Sequence, residues 1–168
     1  MKLRLLPFDR VAADAVASGE HDQFGETPNF AAVASHVVGV AEAYATLYRR
    51  TEAASPWTGY FAFDARSGDL VGSCGFKDVC RDGAVEIAYF TFPEYEGRGV
   101  GSAMAAGLVD IAKAEADVER IVAHTLPRES ASCRILRRLD FVLLGPVEDL
   151  EDGTVWRWQR IGAKKSPE

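Results

Sequence analysis

The sequence predicts an α/β (α+β) fold: a mixed, mostly antiparallel sheet of about six to seven strands flanked by helices. Three observations predict it. A helical N-terminal third gives way to three strand-like runs separated by short turns, the pattern of an antiparallel meander. After Pro93 the apolar period changes to that of an amphipathic helix, and beyond it strand and helix signals alternate to the end. No internal repeat or linker interrupts the 168 residues, so residues 1–161 are expected to form a single domain, with 162–168 a polar tail outside it.

In chain order, Leu3 to Leu6 reads as a first strand. Asp9 to about Ser55 reads as mostly helical. Val33, Val37, Val40, Ala41, Tyr44, Leu47 and Tyr48 there recur at three- and four-residue steps, and Pro56 ends the region. Gly59 to Asp64, Leu70 to Phe76 and Ala84 to Phe92 are the strands of the meander, the first two joined by the turn residues Arg66-Ser67-Gly68-Asp69. Gly101, Met104, Ala105, Leu108, Ile111 and Ala112 are expected on one face of the next helix. Arg120 to Thr125 is strand-like and Ser130 to Leu139 helix-like. Phe141 to Leu144 and Thr154 to Gln159 close the chain as strands around Glu151-Asp152-Gly153.

Charge and composition narrow the function. The formal net charge of −6 argues against nucleic acid, whose phosphates need a basic surface, and is compatible with a cationic partner such as an amine. The three cysteines, Cys74, Cys80 and Cys133, form no CxxC pair, and the three histidines are scattered, so neither a disulfide frame nor a metal site is expected. Cys74 and Cys133 read as packing residues. No apolar run is expected to approach the roughly 18 residues of a membrane helix, and the start does not read as a signal peptide. A cytoplasmic protein is the expectation.

The most informative segment is Glu86 to Ser102. A strand and a short loop lead into Gly97-Arg98-Gly99-Val100-Gly101, three glycines at alternating positions opening a long helix. The first amides of a helix have no internal partners, and the helix dipole places partial positive charge beside them. A diphosphate can lie against them if no side chain intrudes, which glycine ensures. Arg98 could add a charged hydrogen bond. Glycine spacing alone is equally compatible with a tight turn that binds nothing. A dinucleotide fingerprint would need glycine where Ser102 stands, directly after a strand of a βαβ unit, and the Gly-Lys-Ser/Thr ending of a P-loop is missing.

Val85 to Ser102, followed by Ser130 to Phe141, resembles the GNAT (GCN5-related) N-acetyltransferase superfamily. The likeness is strongest to the branch that acetylates ribosomal-protein N-termini, the RimJ/RimL-like proteins. The family loop reads Gln/Arg-x-x-Gly-x-Gly/Ala, and Glu96-Gly97-Arg98-Gly99-Val100-Gly101 matches both small positions, with glutamate in the first. The branch's second motif is Asn-x-x-Ser, then an aliphatic face and Gly-Phe. Ser132, Ile135, Leu136, Leu139 and Phe141 fit it, whereas Glu129 replaces the asparagine and Asp140 the glycine.

The resemblance implies the acyl-CoA N-acyltransferase fold, in which the cofactor lies between two splayed parallel strands, one ending near Phe92 and the other near Thr125. It implies that the amides of Phe90, Thr91 and Phe92 pair with the pantetheine arm. It also implies that the backbone from Gly97 through Arg98, Gly99, Val100 and Gly101 to Ser102 holds the pyrophosphate. The reaction implied is direct attack of an amine on the thioester of acetyl-CoA, with no metal and no enzymatic nucleophile.

Glu86, which opens the cofactor-bearing strand, is the candidate base; its bland alternative is a solvated or ion-paired carboxylate. Ser132 is the candidate near the thiol, the alternative being a buried or capping serine. The tyrosine the family often uses as an acid would fall on Leu136. Tyr89 and Tyr95 read as packing residues, and His124 as a structural histidine, with proton transfer by its imidazole the alternative. Among Arg128, Arg134, Arg137 and Arg138, Arg134 is placed to meet the cofactor's outer phosphate, a solvated helix face being the alternative. Tyr44 and Trp57 lie in the region that roofs the acceptor site in the family. The expected partners are acetyl-CoA and an amine acceptor, with a homodimer compatible with the family. The other reading is a non-catalytic acyl-CoA-binding or sensing module of the same fold.

Overall fold

The structure is a computed structural model that describes residues 1–51 and 54–162. Of the expected C-terminal tail, only Gly162 falls within the described residues. Seven strands form one sheet in the order β1-β2-β3-β4-β5-β7-β6: β1 (Leu3–Phe8), β2 (Gly59–Asp64), β3 (Leu70–Phe76), β4 (Ala84–Thr91), β5 (Arg120–Thr125), β6 (Val142–Asp149) and β7 (Gly153–Ile161). Every neighbouring pair is antiparallel except β4 and β5, which are parallel and joined through the helix α3 (Val100–Ala114).

The parallel pair is short. Ala84, Val85 and Glu86 lie opposite Arg120, Ile121 and Val122, and the pairing stops there. Beyond Glu86, β4 continues to Thr91 against β3 alone, and β5 continues to Thr125 against β7 alone. The two central strands thus diverge into a slot whose apex is at Glu86.

The sheet separates two apolar cores. On one face, helices α1 (Arg10–Ala17) and α2 (Phe30–Tyr48) cover Phe8, Phe61, Phe63, Leu70 and Phe92. On the other, α3 and α4 (Ala131–Arg138) cover Val71, Val85, Ile87, Ile121 and Trp158. The period-2 pleat of β4 sends alternate side chains to the two faces.

Several expectations are corrected. The helical region from Asp9 to Ser55 is two helices, because α1 ends at Ser18 beside Gly19 (φ +93°) and a 3-10 turn at Asp22–Phe24 precedes Pro28 and α2. Tyr48 closes α2, its phenol donating to the Phe8 carbonyl (2.8 Å) and accepting from the Gly59 amide (2.7 Å). On α3 the buried face includes Val100 and Val109, while Gly101 and Ile111 are only half-buried. The closing hairpin is longer than expected at both strands. Finally, α2, with 19 residues, is long and apolar enough to cross a membrane by length and composition alone, contrary to the expectation that no segment approaches that length. Its Val33, Val37, Val40, Ala41, Ala45 and Tyr48 are buried here.

Candidate active site

Helices α1 and α4 begin with side-chain caps, whereas α3, like α2, does not. Asp9 caps α1 by accepting from the Ala12 amide (2.9 Å), and Ser130 caps α4 by accepting from the Cys133 amide (3.4 Å). At α3 the N-cap is Gly99, left-handed at φ +85°, with no side-chain cap. The helical bonding begins with the Ala103 amide on the Gly99 carbonyl (3.0 Å), so the Val100, Gly101 and Ser102 amides point out of the helix. Gly97 is also left-handed (φ +71°), so two of the three glycines are required by the backbone itself. The third, Gly101, sits in a tight space: a Cβ there would stand 3.2 Å from Ile135 Cδ1 and 3.3 Å from Thr91 Oγ1. A groove of about 520 Å³ runs along this helix start, between the end of β4 and α4.

The β4 backbone supplies the other edge of the groove. The Phe92 amide is already taken, donating to the Val71 carbonyl (3.0 Å). By the two-residue alternation of a strand, the Phe90 main chain faces β3 as well. Tyr89 and Thr91 therefore turn their main-chain groups to the slot. The expectation that three successive amides, Phe90 to Phe92, face a bound arm is corrected to this alternating pair. Buried strand edges without a ladder partner favour added β-pairing.

At the apex, Glu86 Oε1 lies 2.7 Å from His124 Nδ1 and 3.4 Å from Lys77 Nζ. Both side chains are half-buried, Glu86 28 % and His124 17 % exposed, so the pair is shielded yet reachable. The register brings them together: Glu86 sits opposite Val122, and His124 is two residues further on the same face of β5. Among the described residues His124 Nε2 makes no hydrogen bond, which leaves one ring nitrogen available beside a fixed carboxylate.

Residues 2–142 match the family model for the acetyltransferase (GNAT) domain. The chain belongs to the GNAT family. No curated protein matches it significantly. Solved structures match over nearly the whole chain at low identity. RimL, the ribosomal L7/L12 α-N-protein acetyltransferase, in complex with coenzyme A is 18 % identical, with 96 % of this chain and 95 % of that chain covered at TM-score 0.63. The ribosomal-protein-S5-alanine acetyltransferase from Vibrio fischeri is 15 % identical, with 99 % and 97 % covered at TM-score 0.66. The protein yncA from Salmonella typhimurium, with its cofactor acetyl-CoA, is 16 % identical, with 100 % and 98 % covered at TM-score 0.60. The acyl-CoA N-acyltransferase fold is thereby shown, splayed strands included.

Within this GNAT fold the remaining expected residues fall into place unevenly. Ser132 lines the groove, and the capping serine of α4 is its neighbour Ser130. Arg134 lines the groove too. Arg98 does not: its guanidinium lies 5.1 Å from the centre of the Tyr95 ring, and Arg138, one turn beyond Arg134, lines the groove in its stead. Glu129 is exposed and held by Arg137 at 2.7 and 2.8 Å, which keeps its carboxyl below the usual range; it offers the groove nothing in place of the family asparagine. Asp140 has φ +63°, the left-handed conformation for which the family glycine is suited. That departure is a matter of backbone, not of the site. Leu136 is fully buried, and no phenol stands in its place on α4.

One phenol does reach the region, from β4. The Tyr89 oxygen is buried with no hydrogen bond among the described residues. Burial pushes its pKa up to about 12, the nearby Ser132 hydroxyl opposing that shift without reaching hydrogen-bond geometry. An unpaired buried hydroxyl costs about 1–3 kcal/mol and is unusual in a packed fold. The sequence signal for Tyr89 was its place, three residues after Glu86 on the opposite face of the strand. The signal for His124 was the register alone.

Proposed function

We propose that this chain is an acetyl-CoA-dependent N-acetyltransferase that acetylates a primary amine by direct attack in a ternary complex. The observation that carries the reading is the slot between β4 and β5, with the uncapped, glycine-lined start of α3 on one side and the Glu86–His124 pair at its apex.

The residues present fit acetyl-CoA. The Val100, Gly101 and Ser102 amides would hold its pyrophosphate, with the α3 dipole adding to the attraction. Arg134 and Arg138 would meet its outer phosphate, and the main chain of Tyr89 and Thr91 its pantetheine arm. The cofactor supplies an activated acyl thioester, so the protein needs no nucleophile of its own.

The chain's own part is positioning and proton transfer. An amine arrives at neutral pH as ammonium and must lose a proton before it can attack. His124 Nε2 can accept that proton while Glu86, bonded to Nδ1, fixes the ring and stabilises the imidazolium. In this reading His124 is the base and Glu86 the residue that positions it, so the proton-accepting role expected of Glu86 passes to its partner. On the far side of the slot the Ser132 hydroxyl and the Tyr89 phenol can donate hydrogen bonds to charge developing on the leaving sulfur. Their role is stabilisation by hydrogen bonding, since a phenol with a raised pKa releases its proton reluctantly.

The test is titration with acetyl-CoA followed by measurement of free thiol on adding amines. Saturable binding with amine-dependent thiol release is expected. Binding without release from any amine would leave a cofactor-binding module, and no binding at millimolar acetyl-CoA would end the acyltransferase reading.

A further inference from the structure

On the α2 side of the sheet lies a second cavity, of about 420 Å³, within the range of small-molecule sites. Ser35, Gly39 and Ala43, at four-residue steps on α2, form one wall, and Ser73, Ala88 and Phe90 the other. Its position ties it to the chemistry. It shares Ala88 with the cleft that contains Glu86 and His124, and Phe90 with the groove at the start of α3. A molecule seated in it would therefore have its reacting end at the mouth of the slot.

The lining defines what can be seated. It holds no aspartate, glutamate, lysine or arginine. Its titratable side chains are His36 and Tyr44, since the Tyr89 phenol lies on the other face of β4 near Ser132. His36 is committed to Glu94 (3.5 Å) and lies against the Phe92 ring, with centroids 5.2 Å apart. The Tyr44 phenol is pushed up by burial and stays neutral. A second ammonium, as in a polyamine, or a carboxylate would lose its water here without a charged partner, which is costly. An apolar group would gain by leaving water. Phe90, 45 % exposed, is a large apolar side chain left open at the junction of the cavity and the groove. There is also room, for a Cβ built on Gly39 would meet nothing within 4 Å.

We propose that the acceptor is a primary amine carrying one uncharged apolar group, alkyl or aryl, which fills this cavity while the nitrogen faces Glu86 and His124. The inference rests on the acetyltransferase reading above. The same chemistry is offered by a small arylalkylamine and by a peptide whose first side chain is apolar.

The experiment compares phenethylamine, a tetrapeptide beginning with phenylalanine, ethylamine and spermidine as acceptors, after acetyl-CoA binding has been measured by calorimetry. Phenethylamine or the peptide should exceed ethylamine and spermidine in kcat/KM by about tenfold or more, from burial of the apolar group. Whichever of the two is better identifies the source. Gly39→Leu should fill the cavity and cut the kcat/KM ratio of phenethylamine to ethylamine by about 30-fold. Gly39→Ala should cut it less, and its melting temperature should not fall, because alanine is the better helix former. Acetyl-CoA binding with spermidine preferred, or with a ratio that Gly39→Leu and Gly39→Ala leave unmoved, would overturn the substrate class and leave the acetyltransferase standing. Failure to bind acetyl-CoA would remove both.

Discussion

Gly101→Val separates the fold of the α3 helix start from its proposed use. The new Cβ would meet Ile135 Cδ1 at 3.2 Å and Thr91 Oγ1 at 3.3 Å. The nearer atom is the free end of a flexible side chain and can turn aside. Replacing glycine within a helix recovers up to about 1 kcal/mol relative to alanine, less for a β-branched residue, and the tight contact offsets it. Stability should therefore change by less than about 1 kcal/mol, or roughly 2–4 °C in a domain of this size. Binding should change much more. The valine methyls would occupy the space before the Val100, Gly101 and Ser102 amides, where the pyrophosphate is proposed to lie. A hydrogen bond to a charged group contributes about 1.5–3 kcal/mol. Loss of one such bond would raise the Kd for acetyl-CoA about 10- to 150-fold. Calorimetric titration reads the Kd and a thermal melt on the same preparation reads the fold. A Gly101→Val protein with an unchanged melt and an unchanged Kd would refute the placement of the pyrophosphate.

Tyr89→Phe removes a buried hydroxyl that has no partner, so the melting temperature should hold or rise; a fall in kcat of about tenfold or more would then report hydrogen bonding to the leaving sulfur. Asp140→Gly should relieve a left-handed backbone and stabilise by about 0.5–1 kcal/mol, seen as a rise of roughly 2 °C. Tyr48→Phe should cost about 2 kcal/mol, since it strips a partner from the Gly59 amide and the Phe8 carbonyl; a drop of roughly 4–8 °C checks it.

The sequence made the elements of this fold legible because each carries a local signal. Short apolar runs bounded by turn residues marked β2 and β3, and the glycines of the α3 loop stand where the backbone turns left-handed, at Gly97 and Gly99. The candidate groove was legible where it depends on those same features: the α3 start borders it, and Ser132 and Arg134 on α4 line it. It was not legible where it depends on register or on the direction of a side chain. The Glu86–His124 pair exists because Glu86 is opposite Val122, a relation between strands joined by a whole helix. Arg98 reads as a phosphate ligand from its place in the loop, yet its guanidinium lies over Tyr95, and Arg138 faces the groove from a position that reads as solvated helix. The alternation that turns Thr91 to the slot and Phe92 to β3 follows from the pairing with β3.

The most direct test of the account is amine-dependent thiol release from acetyl-CoA by the parent protein and Glu86→Gln side by side, with acetyl-CoA affinity measured for both. The account predicts release by the parent and a kcat lower by about 10²–10⁴-fold in the variant, the range for loss of general acid–base help. It also predicts cofactor affinities within about twofold, since Glu86 is placed on the acceptor side of the slot. Equal turnover by the two proteins would contradict the proton-transfer role of the Glu86–His124 pair and with it the proposed centre of the site.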